Sequence, residues 1–391
     1  MRICFVSHHA ELAGAERALL ELISGLRPKG VECFVLLPGP GPIMHYLDRD
    51  GIPYAIFPYQ TWLHQGVWHL TIRRGIRNIR TVPSLARQLD RWGIDIVCTN
   101  SAAAPPVGAL AAKLRGIPHI WFLHEFVKRE YDVAYPLGIR LSCKVMAWLS
   151  RYVLVCSQAL EDYYAPYIAR QQLRVVYQAV HLSGCPSEQE RHLLQIGRPA
   201  PKLLLVGTLC EGKRQIDAIR ALGHLARQGI GAELLLVGSA FPSYLEQLKA
   251  AVLENGVDGA VHFYGYVEGA AALMKEADVV LSCSLWESFS RVTVEAMRAG
   301  KPIVAARHAG TAELVRDGFS GLLFTPGDHT ELAAKIRQLI ENPELAQRLG
   351  ENGRQWAETQ FSVEKYAERV LQILLDVRGT RHSDAVEVGC S

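Results

Sequence analysis

Long apolar runs are missing from this chain of 391 residues. No stretch reaches the roughly 18 to 20 uninterrupted apolar residues that a bilayer span requires, so no transmembrane helix is expected. The opening Arg2-Ile3-Cys4-Phe5-Val6 reads as a strand and lacks the charged-then-apolar layout of a secretory leader, so a cytoplasmic protein is expected. Paired cysteines are missing too. Cys4, Cys33, Cys98, Cys143, Cys156, Cys185, Cys210, Cys283 and Cys390 form no CxxC, and several sit in apolar runs where a reduced thiol acts as a small hydrophobe. Nor is there much net charge. A balance of +3 does not point to nucleic acid. Its distribution is uneven: residues 1–190 hold 20 basic against 15 acidic side chains, and the remainder balances to −2. A basic excess in the first half suits an anionic ligand or an acidic membrane face. Short-period repeats and low-complexity tracts are absent as well.

What remains is enough for two domains of about 150 to 200 residues, with nearly half the residues apolar. Strand-like runs alternate with helical ones throughout, which predicts an α/β protein with parallel sheets and helical crossovers. The predicted strands are 2–7, 32–37, 53–57, 94–98, 118–123, 152–156 and 174–177, then 202–207, 232–237, 260–264, 277–283, 302–305 and 321–324. Several are continuous apolar runs, as expected for strands covered on both faces. Turn formers gather in 183–201, so the predicted domains are 1–190 and 191–362. A helical stretch follows at 363–377, and 378–391 is expected to be a flexible tail. Asp328 with Glu331 predicts a capping box, Asn342-Pro343 a helix start, and Gly300-Lys301-Pro302 a helix end.

The most informative segment is Ala277 to Lys301. A strand, a loop from Ser284 to Ser290 and a helix from about Arg291 are predicted in succession. In open α/β sheets, ligands bind beyond the carboxyl ends of strands, where helix amino ends attract phosphate. Glu287 in the loop and Glu295 one turn into the helix look out of place beside a phosphate. They make sense as acceptors for vicinal diols, one on the nucleotide's ribose and one on a hexose. A hydrogen bond to a charged group contributes about 1.5 to 3 kcal/mol.

Glu287-Ser-Phe-Ser-Arg-Val-Thr-Val-Glu295 resembles the E-x7-E motif of retaining glycosyltransferases of family 4, which have the GT-B fold. The likeness continues through Ala309-Gly310-Thr311-Ala312-Glu313-Leu314-Val315, Asp317-Gly318 and Gly321 to Asp328, and includes Gly265-Tyr266-Val267. It spans nearly the whole chain. It implies two Rossmann-like β/α/β domains facing across a cleft, an acceptor domain first and a donor domain second. It also implies a C-terminal helix that crosses back to the first domain, and a domain closure that excludes water. By the same resemblance Glu287 contacts the donor sugar, and Phe289, Ser290 and Arg291 offer backbone N–H groups to the phosphates. Glu295 binds the ribose, and the backbone at Val267 touches the nucleobase.

Three further clusters are candidates. In Val206-Gly207-Thr208-Leu209-Cys210-Glu211-Gly212-Lys213-Arg214, Lys213 can neutralise charge on a departing diphosphate. Similar proteins carry an arginine directly after the first glycine; Thr208 stands there, and Arg214 is the candidate to compensate. In Ala13-Gly14-Ala15-Glu16-Arg17, Gly14 allows close backbone approach to a phosphate or sugar. His124, at the end of a strand, resembles the histidine that faces the donor from the other wall. The family's Asn-Gly-Val-Asp is changed here to Gln178-Ala179-Val180-His181.

Trp62, Trp68, Arg73, Arg74, Arg77, Arg80 and Arg87 mix aromatic and basic residues. They read as a solvated helix face first and as a peripheral membrane contact for a lipid-linked acceptor second. Asp48-Arg49-Asp50 matches a DxD metal motif but precedes a turn, so no obligatory metal or cofactor is expected. An NAD-dependent oxidoreductase is excluded by the missing GxGxxG after the first strand. The expected activity is hexosyl transfer with retention, from a UDP-, GDP- or ADP-sugar to a glycan or lipid-linked acceptor, in polysaccharide or glycolipid synthesis. Catalytic roles fall to Glu287, His124 and Lys213; Gly14, Gly207, Thr208 and Val267 join the binding set. The alternative is a non-catalytic nucleotide-sugar-binding module on the same fold.

Overall fold

The structure, a computed structural model, describes residues 1–64, 68–127, 133–181, 200–267 and 269–387. The chain forms two compact units, Met1–Ala179 with the segment from Val363 onward, and Val180–Ser362. The predicted linker at 183–201 lies almost wholly outside the described residues.

The first unit holds β1 (Arg2–Ser7), β2 (Glu32–Leu37), β3 (Tyr54–Ile56), β4 (Ile96–Asn100), β5 (His119–Leu123), β6 (Tyr152–Val155) and β7 (Leu173–Val175), in the order β3-β2-β1-β4-β5-β6-β7. The second holds β8 (Lys202–Val206), β9 (Glu233–Val237), β10 (Val261–Gly265), β11 (Val279–Ser282), β12 (Ile303–Ala306) and β13 (Leu322–Phe324), in the order β10-β9-β8-β11-β12-β13. Every pairing between these strands is parallel. Continuous runs such as Ile3-Cys4-Phe5-Val6 and Leu203-Leu204-Leu205 are buried because helices cover both sheet faces. In each sheet the direction of strand addition reverses once, between β1 and β4 and between β8 and β11. Such reversals open a crevice at the carboxyl ends of the two central strands.

Helix ends follow the local chemistry. Asn342 Oδ1 accepts from Leu345 N–H, with Pro343 opening the helix Pro343–Gln360. The capping box at Asp328 is half made. Asp328 accepts from Thr330 and Glu331 N–H, but Glu331 Oε2 accepts from Thr325 N–H instead of reaching back to Asp328. The terminal helix differs from expectation more plainly. It runs Val363–Glu387, past the expected end at 377, because a lone Gly379 costs it only about 1 kcal/mol and no proline follows. It packs on the helix Gly14–Leu26, where a Cβ at Gly25 would lie 2.7 Å from that of Ala367. Tyr152 donates to Asp376 at 2.6 Å, and Lys29 to Glu368 at 3.0 Å.

The core of the first sheet holds a histidine. His119 is buried between Thr99 Oγ1 (2.8 Å) and Ser150 Oγ (2.9 Å), and burial pushes its pKa down to about 3. The thiols of Cys98 and Cys33 are pushed up to about 12 by burial, in keeping with inert core cysteines.

Candidate active site

The crevice of the second sheet is built by two loops. Beyond β8 the chain turns through Glu211–Lys213 into the helix Gln215–Arg227, and beyond β11 the loop runs through Ser290 into the helix Arg291–Arg298. Leu285 N–H donates to the Gly212 carbonyl at 2.9 Å, tying the loops together. Lys213 Nζ then donates to Glu287 Oε2 at 2.5 Å. The two side chains, 74 positions apart in sequence, are 27% and 12% exposed, so the pair is partly withdrawn from water and stronger than a surface pair.

The loop after β11 rests on the next one. Gly310 N–H donates to the Glu287 carbonyl at 2.9 Å, and a Cβ at Gly310 would lie 2.2 Å from the Ser288 carbonyl oxygen. Only glycine permits that approach. Ser288, Phe289 and Ser290 are buried, and the Phe289 ring meets Phe361 edge-on at 5.9 Å. Ser290 is the N-cap of Arg291–Arg298, yet its hydroxyl accepts from Thr293 Oγ1 at 2.8 Å and caps no backbone amide. The start of that helix carries the positive end of its dipole, which favours an anion there. Arg291 and Glu295 are half-buried on the same helix.

Other candidates take up their positions around this centre. Gly207 ends β8, and its N–H donates to the Val237 carbonyl. Thr208 is exposed and its carbonyl accepts from Gln215 Nε2. Arg214 does not replace the missing arginine. Its guanidinium forks onto the buried Asp217 at 2.6 and 2.8 Å, since a carboxylate buried at a helix start needs a partner. Val267 follows β10 on the same carboxyl edge, half-buried. Among the described residues, the non-glycine positions with positive φ are Ser101 (+93°), Arg214 (+52°) and Ala309 (+44°). All three follow the carboxyl ends of β4, β8 and β12, with Ala309 opening the helix Ala309–Leu314. Strain of this kind, of order 1–3 kcal/mol each, gathers where ligands bind.

The crevice of the first sheet is assembled differently. Gly14 opens its helix and is exposed. His124 is buried with both ring nitrogens in use: Nε2 donates to Asn100 Oδ1 and Nδ1 accepts from Gln178 Nε2, each at 2.7 Å. Gln178, which stands where similar proteins have asparagine, therefore acts on the histidine. Glu125, unremarked in the sequence, accepts from Ser101 Oγ, from Ala102 N–H at 3.0 Å and from His124 N–H at 3.1 Å. Asn100 Nδ2 donates to the Ala15 carbonyl at 3.2 Å, linking β4's end to the helix start.

Also missed was a group at the end of β1. Glu16 is buried, accepts from Ser7 Oγ at 3.1 Å, and lies 3.0 Å from His8 Nδ1 and 3.8 Å from His9 Nδ1. Burial disfavours charge on His8, but Glu16 beside it outweighs that and raises the pKa. Burial and the charge of His8 lower that of His9. Burial would raise Glu16, yet the two imidazoles hold it below the usual carboxylate value. A histidine pair at a strand end and a glutamate in the following helix were the available signals.

Two sequence candidates have ordinary explanations. Trp62 is core: it stacks on Trp121 at 5.8 Å and donates to the Ala102 carbonyl at 2.7 Å. The Trp68 side chain lies outside the described residues. In Asp48-Arg49-Asp50, Arg49 forks onto Asp50, and Asp48 only approaches Tyr54 at 3.5 Å. Arg73, Arg77, Arg80 and Arg87 are exposed on the helix Trp68–Trp92, with Ile76 and Ile79 exposed among them. No helix among the described residues is long and apolar enough to cross a membrane.

The chain is similar to known proteins. Residues 166–356 match the model of the family described as Glycosyl transferases group 1, and residues 12–183 match Glycosyltransferase Family 4. The uncharacterized glycosyltransferase MJ1178 of Methanocaldococcus jannaschii is 40% identical over 336 residues, 82% of this chain and 86% of that one. The putative glycosyltransferase EpsD of Bacillus subtilis is 27% identical over 321 residues, 76% and 80% of the two chains. Among solved structures, Anabaena Alr3699/HepE in complex with UDP aligns at TM-score 0.79 and 25% identity, over 96% of this chain and 100% of that one. The same protein in complex with UDP-glucose aligns at 0.77, with the same identity and coverage.

Proposed function

The chain belongs to the glycosyl transferases group 1, within glycosyltransferase family 4, and from that membership we propose that it moves a hexosyl unit from a nucleotide diphosphate sugar to an acceptor hydroxyl with retention of configuration. The observation that carries the proposal is the Lys213–Glu287 pair at the crevice between β8 and β11, immediately before the helix Arg291–Arg298. A cation, a carboxylate and a helix start are the three groups that a sugar diphosphate asks for. The ammonium and the backbone amides meet phosphate charge, and the carboxylate accepts from sugar hydroxyls.

In this scheme Lys213 and the amides of Phe289, Ser290 and Arg291 hold the diphosphate as negative charge builds on it during bond cleavage. Glu287 exchanges part of its bond to Lys213 for the donor sugar. Glu295 takes the ribose, and the backbone at Val267 meets the base. The leaving diphosphate receives the acceptor's proton, so the protein supplies position and charge rather than a base. Phosphate charge is met by protein groups, and the transfer calls for no metal. Its two engaged nitrogens make His124 a positioning residue that fixes Asn100 and the Glu125 loop. The acceptor, a glycan or lipid-linked sugar of a cell-surface polymer, is assigned to the first unit. The exposed Arg73, Arg77 and Arg80 with Ile76 and Ile79 would lie against anionic headgroups.

A uridine nucleotide is the first donor to try, since the Alr3699/HepE structures hold UDP and UDP-glucose. Thermal unfolding with UDP, GDP and ADP identifies the base: the right one, at a hundred times its dissociation constant, stabilises by about 2.7 kcal/mol. An NMR spectrum of the product from the matching α-linked donor then reads the anomeric configuration. An inverted product, or no stabilisation by any of the three, would refute the proposal.

A further inference from the structure

We propose that His8, His9 and Glu16 form a binding site for a single divalent cation of the zinc type, at the crevice of the first sheet. The site belongs to the first unit and the Lys213–Glu287 pair to the second, and the site does not depend on the transfer reaction.

The geometry is that of a three-ligand site. One atom from each residue, an imidazole nitrogen of each histidine and a carboxylate oxygen, lies within 4.8 Å of the other two. His8 Nδ1 is 3.0 Å from Glu16 Oε1, and His9 Nδ1 is 3.8 Å from Glu16 Oε2. Ligands about 2.0–2.1 Å from a tetrahedral zinc stand roughly 3.3–3.4 Å apart, so these two spacings bracket the ideal. The two imidazole rings lie against each other, with centroids 3.8 Å apart and planes tilted by 45°.

Hydrogen bonding leaves the cluster unfinished. His8 Nδ1, His9 Nδ1 and Glu16 Oε2 are buried atoms with no hydrogen-bond partner, and the Glu16 side chain is wholly buried. His8 Nδ1 and Glu16 Oε1 make a short contact at 3.0 Å. An ion pair between those two would still strand His9 Nδ1 and Glu16 Oε2, and a buried polar atom without a partner is costly. A cation satisfies all three at once. Two imidazoles and one carboxylate select zinc, nickel or cobalt over magnesium and calcium, which prefer all-oxygen shells.

The surroundings agree. Ser7 Oγ donates to Glu16 Oε1 at 3.1 Å and its hydroxyl thereby orients the carboxylate, as outer-shell groups of metal sites do. The negative charge of Glu125 reaches both imidazoles. His9 is 38% exposed and His8 14%, which opens a way in from solvent and leaves a fourth position for water.

Chelator-treated full-length protein, titrated with Zn2+ in a calorimeter and with Co2+ by visible absorption, tests the site. One equivalent should bind in each case, unaffected by millimolar Mg2+. His9→Ala and His8→Ala should each weaken Zn2+ binding at least tenfold, with the circular dichroism spectrum unchanged for the exposed His9. Absorption fine structure of the zinc-loaded wild type, which needs no variant, should show two imidazoles in the first shell. Failure of the wild type to take up a stoichiometric ion, a first shell without imidazole, or full affinity in both variants would overturn the proposal.

Discussion

The two sheets reverse their strand order in the same way, yet their crevices are furnished differently. In the second unit the loops after β8 and β11 bring together opposite charges, Lys213 and Glu287, beside a helix start whose N-cap hydroxyl takes no backbone amide. In the first unit the loops after β1, β4 and β5 bring together histidines and carboxylates. There His124 is locked by Asn100 and Gln178, and Glu125 by Ser101 and Ala102. One topology thus makes two crevices, and the side chains at the strand ends decide what each can hold. The second suits a doubly charged diphosphate with diols on either side. The first is a set of fixed polar groups around β1, with His8, His9 and Glu16 left facing one another.

The largest test of this contrast is removal of the cation. Lys213→Ala should lower kcat about 10²- to 10³-fold, the usual loss when one group that stabilises developing charge is removed. Steady-state transfer assays measure it, and a loss below tenfold would put the second crevice on the same footing as the first. The two glutamates should separate next. Glu295→Ala is expected to weaken UDP binding by about 1.5–3 kcal/mol, roughly ten- to a hundredfold, by calorimetry. Glu287→Ala should leave UDP affinity within a fewfold and act on kcat. Equal losses of UDP affinity in both variants would merge their roles.

Acid should distinguish the units. His119 in the first sheet has its folded pKa depressed to about 3 from the usual 6.5. Below pH 6.5 the unfolded chain binds a proton that the folded chain refuses, so stability present at neutral pH is lost as pH falls toward 3. The slope is at most about 1.4 kcal/mol per pH unit. Hydrogen exchange at pH 7 and pH 5 should show protection falling in β4 and β5 more than in β8 and β9, and less so in His119→Asn. Equal losses in both sheets would remove His119 as the cause. The smallest effect belongs to the exposed basic helix. Arg77→Gln should reduce sedimentation with anionic vesicles by about 1 kcal/mol, roughly fivefold, and leave neutral vesicles unaffected.

Strand positions were legible because buried parallel strands are written as contiguous apolar runs, such as Val279-Val280-Leu281. Boundaries moved by one or two residues, as at 94–98 against Ile96–Asn100. The segment from Glu287 to Glu295 was legible because one loop and one helix carry it. Less local features were not. The partners of His124 lie 24 and 54 positions away, and only the assembled sheet shows that both ring nitrogens are taken. Arg214 promised a substitute phosphate ligand, but Asp217, three residues on, claims it through burial that sequence spacing alone does not reveal. His8 and His9 meet Glu16 only once the first strand and helix are folded together.

The central claim is that the second sheet's crevice, and not the first, holds the nucleotide diphosphate. A crystal structure of the protein grown with UDP tests it most directly. The account predicts diphosphate density against Lys213 Nζ and the amides of Phe289 to Arg291, with the ribose hydroxyls on Glu295. Density at the ends of β1 and β4 instead, with the Lys213–Glu287 bond undisturbed, would contradict it.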